Sequence, residues 1–450
     1  MKQYESDMCS GAIFKKILLF SIPLMFSSIL QLLYNMVDII VVGQFAGKEA
    51  LAAVGSTSSL INLITNLFIG VSEGTCIVIA TYYGAQKYDR MSKSVHTSVA
   101  IAFLSGVVLA LVGYFASEFL LGLMGTPSDV IKLSTLYMKI YFLGMPFFMV
   151  FNFGSSILNA MGDTKRPLYY LTVSGIVNVV LNLIFVIYFK QGVKGVAIAT
   201  VVSQIISSVL IVNCLVKIDG VYRLNVKELK IDKTELLNIF KNGIPCGISR
   251  SLFSFSNVII QSSINSLGSA VMAGSAAAAN IEGIVYVSMY SIARTALTFT
   301  SQNFGAKNYD RIKKGFGICM VFISLVGLSL GLLAYIFGEP LLKIYSNDAN
   351  IIPSGLIRLK YVCVPYFLCG MMDVGTSALR GMGYSIFTMV APLLCVCGIR
   401  ILWIFTVFAN VRTLETIFIS YPITWAIMAL ISIFTFIVVM KKKTKELCNE

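Results

Sequence analysis

The sequence predicts an all-α polytopic membrane protein: twelve transmembrane helices in two six-helix parallel repeats around a central cavity. Three observations lead there. Of 450 residues, 57% are hydrophobic and only 12% charged, about half the charged share of a soluble domain, which is roughly 25%. Apolar stretches run for about 20 residues or more, the length a helix needs to cross a bilayer. A seven-residue motif and its surroundings recur at an offset of 221 residues.

The composition excludes a soluble enzyme, a nucleic-acid-binding domain and a disordered chain. A transmembrane β-barrel is excluded as well, because its strands would alternate polar and apolar residues. Apolar periodicity places the spans near 14–42, 51–80, 94–116, 132–160, 167–189, 194–217, 236–263, 271–300, 315–337, 354–379, 385–409 and 414–440. The first is read as a retained helix, since its apolar run is too long for a signal peptide and no small-x-small cleavage site comes after it.

Charge fixes the expected orientation. Of the 35 basic residues, 23 fall in one set of connections and 6 in the opposite set. The rich set includes Lys15 and Lys16, Lys87, Arg90 and Lys93, the six between Lys217 and Lys241, and Lys441 to Lys445. Cytoplasmic connections carry this excess, so both termini are expected in the cytoplasm. The net charge of +14 is thus a topology signal and a contact for anionic lipid headgroups; no nucleic-acid partner is expected. The longest polar stretch, 217–241, suits a short amphipathic surface helix. It divides the chain into an N-terminal lobe (1–216), a linker (217–241) and a C-terminal lobe (242–450).

The two lobes repeat each other. Gly84 to Arg90 reads GAQKYDR and Gly305 to Arg311 reads GAKNYDR. Glu118 matches Glu339, and Met161-Gly162 matches Met382-Gly383, at the same offset of 221. Ile22-Pro23 matches Ile244-Pro245, and Asn35 matches Asn257, at 222. With six spans each, the copies share one orientation. That architecture suits alternating access about a cavity between the lobes. It favours a transporter over a receptor or a membrane enzyme.

On these motifs the chain resembles the multidrug and toxic compound extrusion (MATE) family of secondary transporters, in a bacterial branch. Tyr34-Asn35-Met36-Val37-Asp38 with Val42-Gly43, the two GAxxYDR loops, Leu158 to Asp163, Leu379 to Gly383, and the stretch from Ser251 to Gly283 carry the resemblance. It covers essentially the whole chain.

Charge inside a bilayer is costly, so intramembrane polar groups are functional candidates. Asp38 lies 15 residues beyond Pro23, about 22 Å along a helix. Pro23 is a candidate hinge, because it removes one backbone hydrogen bond. Asn178 and Asn182 share one face of the fifth span, and Thr200 lies in the sixth. The resemblance implies that an acid of span 1, an Asn-x-x-x-Asp of span 5 and a Thr of span 6 form an ion or proton site. Asp38, Asn178 and Thr200 match. Asn182 departs, standing where the family usually has Asp; the site keeps an oxygen there and loses a charge. This weakens the case for Na⁺ and leaves proton coupling through Asp38 intact.

The second lobe lacks that site: Ile260 stands at the Asp38 position, and Phe253 at the span 7 acid of a sodium-coupled branch. Its own charges are Arg250, Glu282, Arg294, Asp373 and Arg400. Arg250 and Arg294 are read as structural and Glu282 as the contact for a cationic substrate. Gln31, Tyr34, Asn35, Phe153, Phe253, Asn257, Tyr286 and Met289 are expected to line the substrate cavity, since aromatic and Met side chains suit flat cations. The ten cysteines, Cys395-x-Cys397 among them, read as small hydrophobes, and the lone His96 makes no metal cage or catalytic triad. The expected function is a monomeric secondary antiporter. It exports amphipathic, cationic small molecules in exchange for H⁺ or Na⁺, with no cofactor and no Walker A motif. The rival is a lipid-linked precursor flippase of the same superfamily, which would need a cavity rich in Arg or Lys.

Overall fold

The computed structural model describes residues 6–124, 126–127, 130–345, 348 and 351–449. Lys2 lies outside them, as do the side chains of Lys48 and Cys448. The described residues form helices and connections, with no strand among them. The helices are α1 (Ile13–Phe45), α2 (Lys48–Gly84), α3 (Tyr88–Leu123), α4 (Ile131–Leu143), α5 (Met145–Ala160), α6 (Lys165–Leu183), α7 (Gly192–Lys217) and α8 (Lys233–Asn265). They continue with α9 (Ser269–Gly305), α10 (Tyr309–Ile336), α11 (Gly338–Lys343), α12 (Ile352–Arg358), α13 (Tyr366–Gly381), α14 (Ser385–Pro392), α15 (Ile399–Trp403) and α16 (Leu414–Asn449). Segments of π-helix lie at Ile184–Tyr188, Leu359–Cys363, Leu393–Gly398 and Ile404–Phe408.

Among the described residues, nine helices are long and apolar enough to cross a membrane, and two bent pairs pass the same test. The bends are 49° between α4 and α5 and 41° between the Ile352–Cys363 segment and α13. Pro146 and Pro365 sit at these two breaks, where a missing N–H and a fixed φ interrupt the helix. The more polar α8, with 33 residues, takes the seventh place and completes twelve spans.

Two compact units divide the chain. Unit 1 holds Met1–Asp7 and Phe26–Gly247; unit 2 holds Met8–Met25 and Ile248–Glu450. The boundaries fall inside α1 and α8, two residues beyond Pro23 and Pro245, at positions offset by 222 residues. The first stretch of α1 therefore packs in unit 2, with Ile17, Phe20 and Leu24 in its core. The first stretch of α8 packs in unit 1, with Ile239 in its core.

Small residues make these packings possible. In unit 1, Gly70 and Gly74 of α2 face Gly247 and Gly243 of α8. A Cβ on Gly70 would strike the Gly247 backbone, and one on Gly74 the backbone of Ile239 and Gly243. Paired small residues one helical turn apart let two membrane helices approach closely. In unit 2 the corresponding crossing of α1 and α9 carries a hydrogen bond instead, between the hydroxyls of Ser21 and Thr295 at 2.8 Å.

The repeated motifs clamp these exchanged stretches. Gln86 and Lys307, third in each heptapeptide, adopt left-handed φ of 54° and 57°, which turns the chain tightly from one helix to the next. Asp89 and Asp310 then sit in the first turns of α3 and α10, where the helix dipole favours an acid. Arg90 pairs with Glu235 of α8 at 2.8 Å. Arg311 donates instead to the carbonyls of Met8, Gly11 and Ser10 ahead of α1, at 2.9, 2.8 and 2.5 Å.

The 217–241 segment lies within unit 1, and its expected surface helix is absent. Residues 218–225 are irregular, and a single 3₁₀ turn comes next at Val226–Glu228. The side chains of Tyr222 and Leu224 are buried, which pins residues 218–225 as irregular chain, and from Lys233 the segment is already the first stretch of α8. Leu224 donates to the Leu215 carbonyl at 2.9 Å, and the Asn225 amide donates to Nε2 of His96 at 3.1 Å. The lone histidine thus serves as a structural acceptor.

Candidate functional site

Unit 1 brings four of the expected residues together. Asp38 lies on α1, Asn178 and Asn182 on α6, and Thr200 on α7. Asn178 and Asn182 are four residues apart, so both amides leave one helical face. The Asn182 side-chain amide donates to the Asp38 carboxylate and to Oδ1 of Asn178 at 3.2 Å. Asn178 in turn donates to Oγ1 of Thr200 at 3.5 Å, while the Thr200 hydroxyl donates to the Val196 carbonyl at 2.9 Å. Both asparagines are buried. Two residues beyond Asn182 the helix changes to π register at Ile184–Tyr188, a feature frequent at functional sites.

The electrostatics of this cluster are distinctive. Among the described residues, no Lys or Arg lies within ion-pair distance of Asp38; its hydrogen-bonding neighbours are neutral amides and hydroxyls. Among the described residues, the buried Oδ1 of Asn182 has no hydrogen-bond partner. A carboxylate and an unpartnered carbonyl oxygen therefore share one buried spot, and both are acceptors. The phenols of Tyr137 and Tyr141 lie within electrostatic reach of Asp38, with their rings stacked at 5.9 Å. Sequence reasoning does not single out these two. Their spacing of four residues along α4 is an available signal, but aromatic pairs at that spacing are common in ordinary helix packing.

The residues expected to line a substrate cavity divide between the two units. Gln31 and Asn35 on α1 and Asn257 on α8 are exposed. Tyr34 packs flat against α6, its ring where a Cβ on Gly175 would lie, with its hydroxyl 3.4 Å from the Thr172 carbonyl. Phe153 is enclosed in the core of unit 1. Met289 is enclosed in unit 2, its sulfur filling the space beside Gly327 and Gly370. Neither Phe153 nor Met289 offers a surface to a ligand; full apolar burial explains both. Phe253 packs against the unit 2 core. Tyr286 is partly exposed. The helix α1 runs through Pro23 without a break.

Glu282 is corrected most sharply. Its carboxylate accepts from Nε and Nη2 of Arg358 at 2.9 and 2.8 Å and from the Tyr366 hydroxyl at 3.0 Å. Arg358 also donates to Oγ of Ser275 at 2.9 Å. A carboxylate already paired and hydrogen-bonded in this way is a structural anchor between helices rather than a free contact for a cation. Asp373 lies within electrostatic reach of Arg380 and Arg250. Arg250 donates to the Tyr290 hydroxyl and lies over its ring, as expected of a structural cation.

Comparison with known proteins fits this architecture. The MatE family model matches twice, at residues 23–184 and 245–406; the two matches are offset by 222 residues, as in the internal repeat. The probable multidrug resistance protein YoeA of Bacillus subtilis is 29% identical over 444 residues, covering 96% of this chain and 95% of its own. The multidrug export protein MepA of Staphylococcus saprophyticus is 21% identical over 375 residues, covering 83% of this chain and 82% of its own. The Vibrio cholerae MATE transporter VcmN in the bent form superposes with a TM-score of 0.87 at 21% identity, over 96% of this chain and 98% of its own. With twelve spans in two repeats and both repeats matched, the chain belongs to the MatE family, the multi-pass membrane transporters of multidrug and toxic compound extrusion.

Proposed function

We propose that the protein is a secondary active multidrug efflux antiporter of a bacterial cytoplasmic membrane, with both termini in the cytoplasm. It exports amphipathic, cationic compounds in exchange for H⁺ or Na⁺. The names of YoeA and MepA support efflux of drugs. One observation carries the coupling role: Asp38 sits in a membrane span among neutral partners, with no basic residue among the described residues to neutralise it. A carboxylate there is costly unless something cancels its charge. A proton or cation from solution does so in one state and leaves in the other. The orphaned Asn182 oxygen beside it supports this reading, since either a protonated Asp38 or a bound cation would satisfy it. A single carboxylate favours the proton, because tight Na⁺ sites rely on formal charge.

The driving force is bounded. At about 150 mV of motive force, one monovalent ion yields about 3.5 kcal/mol. That sustains a gradient of roughly 300-fold per ion. Asp38→Asn tests the role: it should bind substrate and allow downhill flux while losing uphill export. Uphill export by Asp38→Asn at the native rate would remove Asp38 from the mechanism.

A further inference from the structure

Arg400 is a buried cation that the coupling site does not use. It lies on α15, five residues long, between the π segments Leu393–Gly398 and Ile404–Phe408. Only 4% of its surface is exposed. Its Nε donates to Oγ1 of Thr424 at 3.0 Å. Its Nη2 is buried; among the described residues it has no hydrogen-bond partner, and no carboxylate lies within ion-pair distance. Arg358, in the same unit, shows the usual solution: it is held by Glu282 and Ser275. Rings partly offset the cost at Arg400. Tyr421 lies 3.9 Å and Trp425 5.4 Å from its guanidinium carbon, and such contacts favour a cation. A ring face, however, gives Nη2 no oxygen to bond.

The same rings begin a row. Tyr421 meets Trp425 at 5.5 Å, Trp425 meets Tyr366 at 5.1 Å, and Tyr366 meets Tyr286 at 6.2 Å. The last two pairs are stacked, each at 28°. Tyr286, at the other end, is 37% exposed. A line of aromatic faces therefore leads from a partly exposed tyrosine to an unsatisfied guanidinium, all within unit 2.

We propose that unit 2 holds a binding site for a flat aromatic anion, with Arg400 taking its carboxylate or sulfonate. The planar fork of a guanidinium matches such a group, and offset rings accept an aromatic body by stacking. Entry requires the row to part around Nη2. The π segments flanking α15 supply the irregular backbone register in which such a shift is accommodated. The inference does not rest on Asp38 or on the coupling ion.

The test uses the full-length protein in detergent with Trp403→Phe, which leaves Trp425 as its only tryptophan, since the sequence has two. Quenching of Trp425 is titrated with 4-nitrobenzoate and with its neutral isostere 4-nitrobenzamide. The expected result is saturable quenching by the acid, at least about tenfold tighter than by the amide. Arg400→Gln should abolish that difference and Arg400→Lys should keep part of it. Equal affinity for acid and amide, or an unchanged difference in Arg400→Gln, would overturn the proposal. So would full displacement of the acid by chloride at equal concentration, which would mean a small-anion site without use of the rings. Should Arg400→Gln fail to fold, the comparison of acid with amide still decides.

Discussion

Neutralising Glu282 distinguishes a structural ion pair from a cargo contact. In Glu282→Gln the carboxylate gives up two hydrogen bonds from Arg358, at 2.9 and 2.8 Å, and keeps an oxygen for Tyr366. The pair is mostly buried, with side chains 11% and 13% exposed. Removing one member of a buried pair costs about 3–5 kcal/mol, largely because the other charge is left uncompensated. Ser275 still holds Arg358, and the new amide retains one acceptor. The loss should therefore fall near the lower end, about 3 kcal/mol. Replacing both members, Glu282→Gln with Arg358→Met, should restore stability to within about 1 kcal/mol of the parent. Unfolding in mixed micelles, monitored by circular dichroism as the denaturing detergent fraction rises, measures these differences. Transport by the folded fraction is assayed in parallel. Unchanged stability in Glu282→Gln together with lost export of cations would refute the reasoning and return Glu282 to the substrate.

The same geometry sets three further outcomes. Asn182→Asp places a second carboxylate against Asp38 and should strengthen Na⁺ dependence or shift the pH profile of transport; an unchanged ion dependence would mean that Asn182 does not serve the coupling site. Gly247→Val puts side-chain atoms into the backbone crossing of α2 and α8 and should cost about 1–3 kcal/mol or more, read as a lower unfolding midpoint; a neutral effect would contradict the close approach at Gly70. Spin labels at Lys87 and Lys307, in a background without native cysteines, should give distances that change with pH or Na⁺. One invariant distance in transporting protein would contradict rocking of the two units and leave local bending of α1 near Pro23.

Much of the architecture was legible because it rests on long-range regularities. Apolar run length marks the spans, Lys and Arg counts mark the connections, and the GAQKYDR and GAKNYDR pair marks the repeat. The same regularities hide what the repeats exchange. Both stretches of α1 are apolar enough to read as one continuous span, so the division at Met25 and Gly247 emerges only from packing. Asp38 was legible because intramembrane acids are few, whereas Asn178, Asn182 and Thr200 were picked from many polar groups by the family resemblance. Glu282 was misread for a related reason: its partner Arg358 lies 76 residues away, next to a π segment, and a sequence does not show which intramembrane charges meet. The segment 217–241 has the spacing of apolar and charged residues of a surface helix, yet the buried side chains of Tyr222 and Leu224 hold its first part as irregular chain, and its last part is the start of α8. Phe153 and Met289 have the chemistry of a cavity lining and the burial of a core.

The central claim is that an ion gradient acting through Asp38 drives export. The most direct measurement is transport of a fluorescent aromatic cation in proteoliposomes, with a pH gradient and a Na⁺ gradient imposed separately. Uphill movement should follow at least one gradient, stop when that gradient is collapsed, and be absent in Asp38→Asn. Uphill movement that persists with both gradients collapsed, or that Asp38→Asn sustains unchanged, would contradict it.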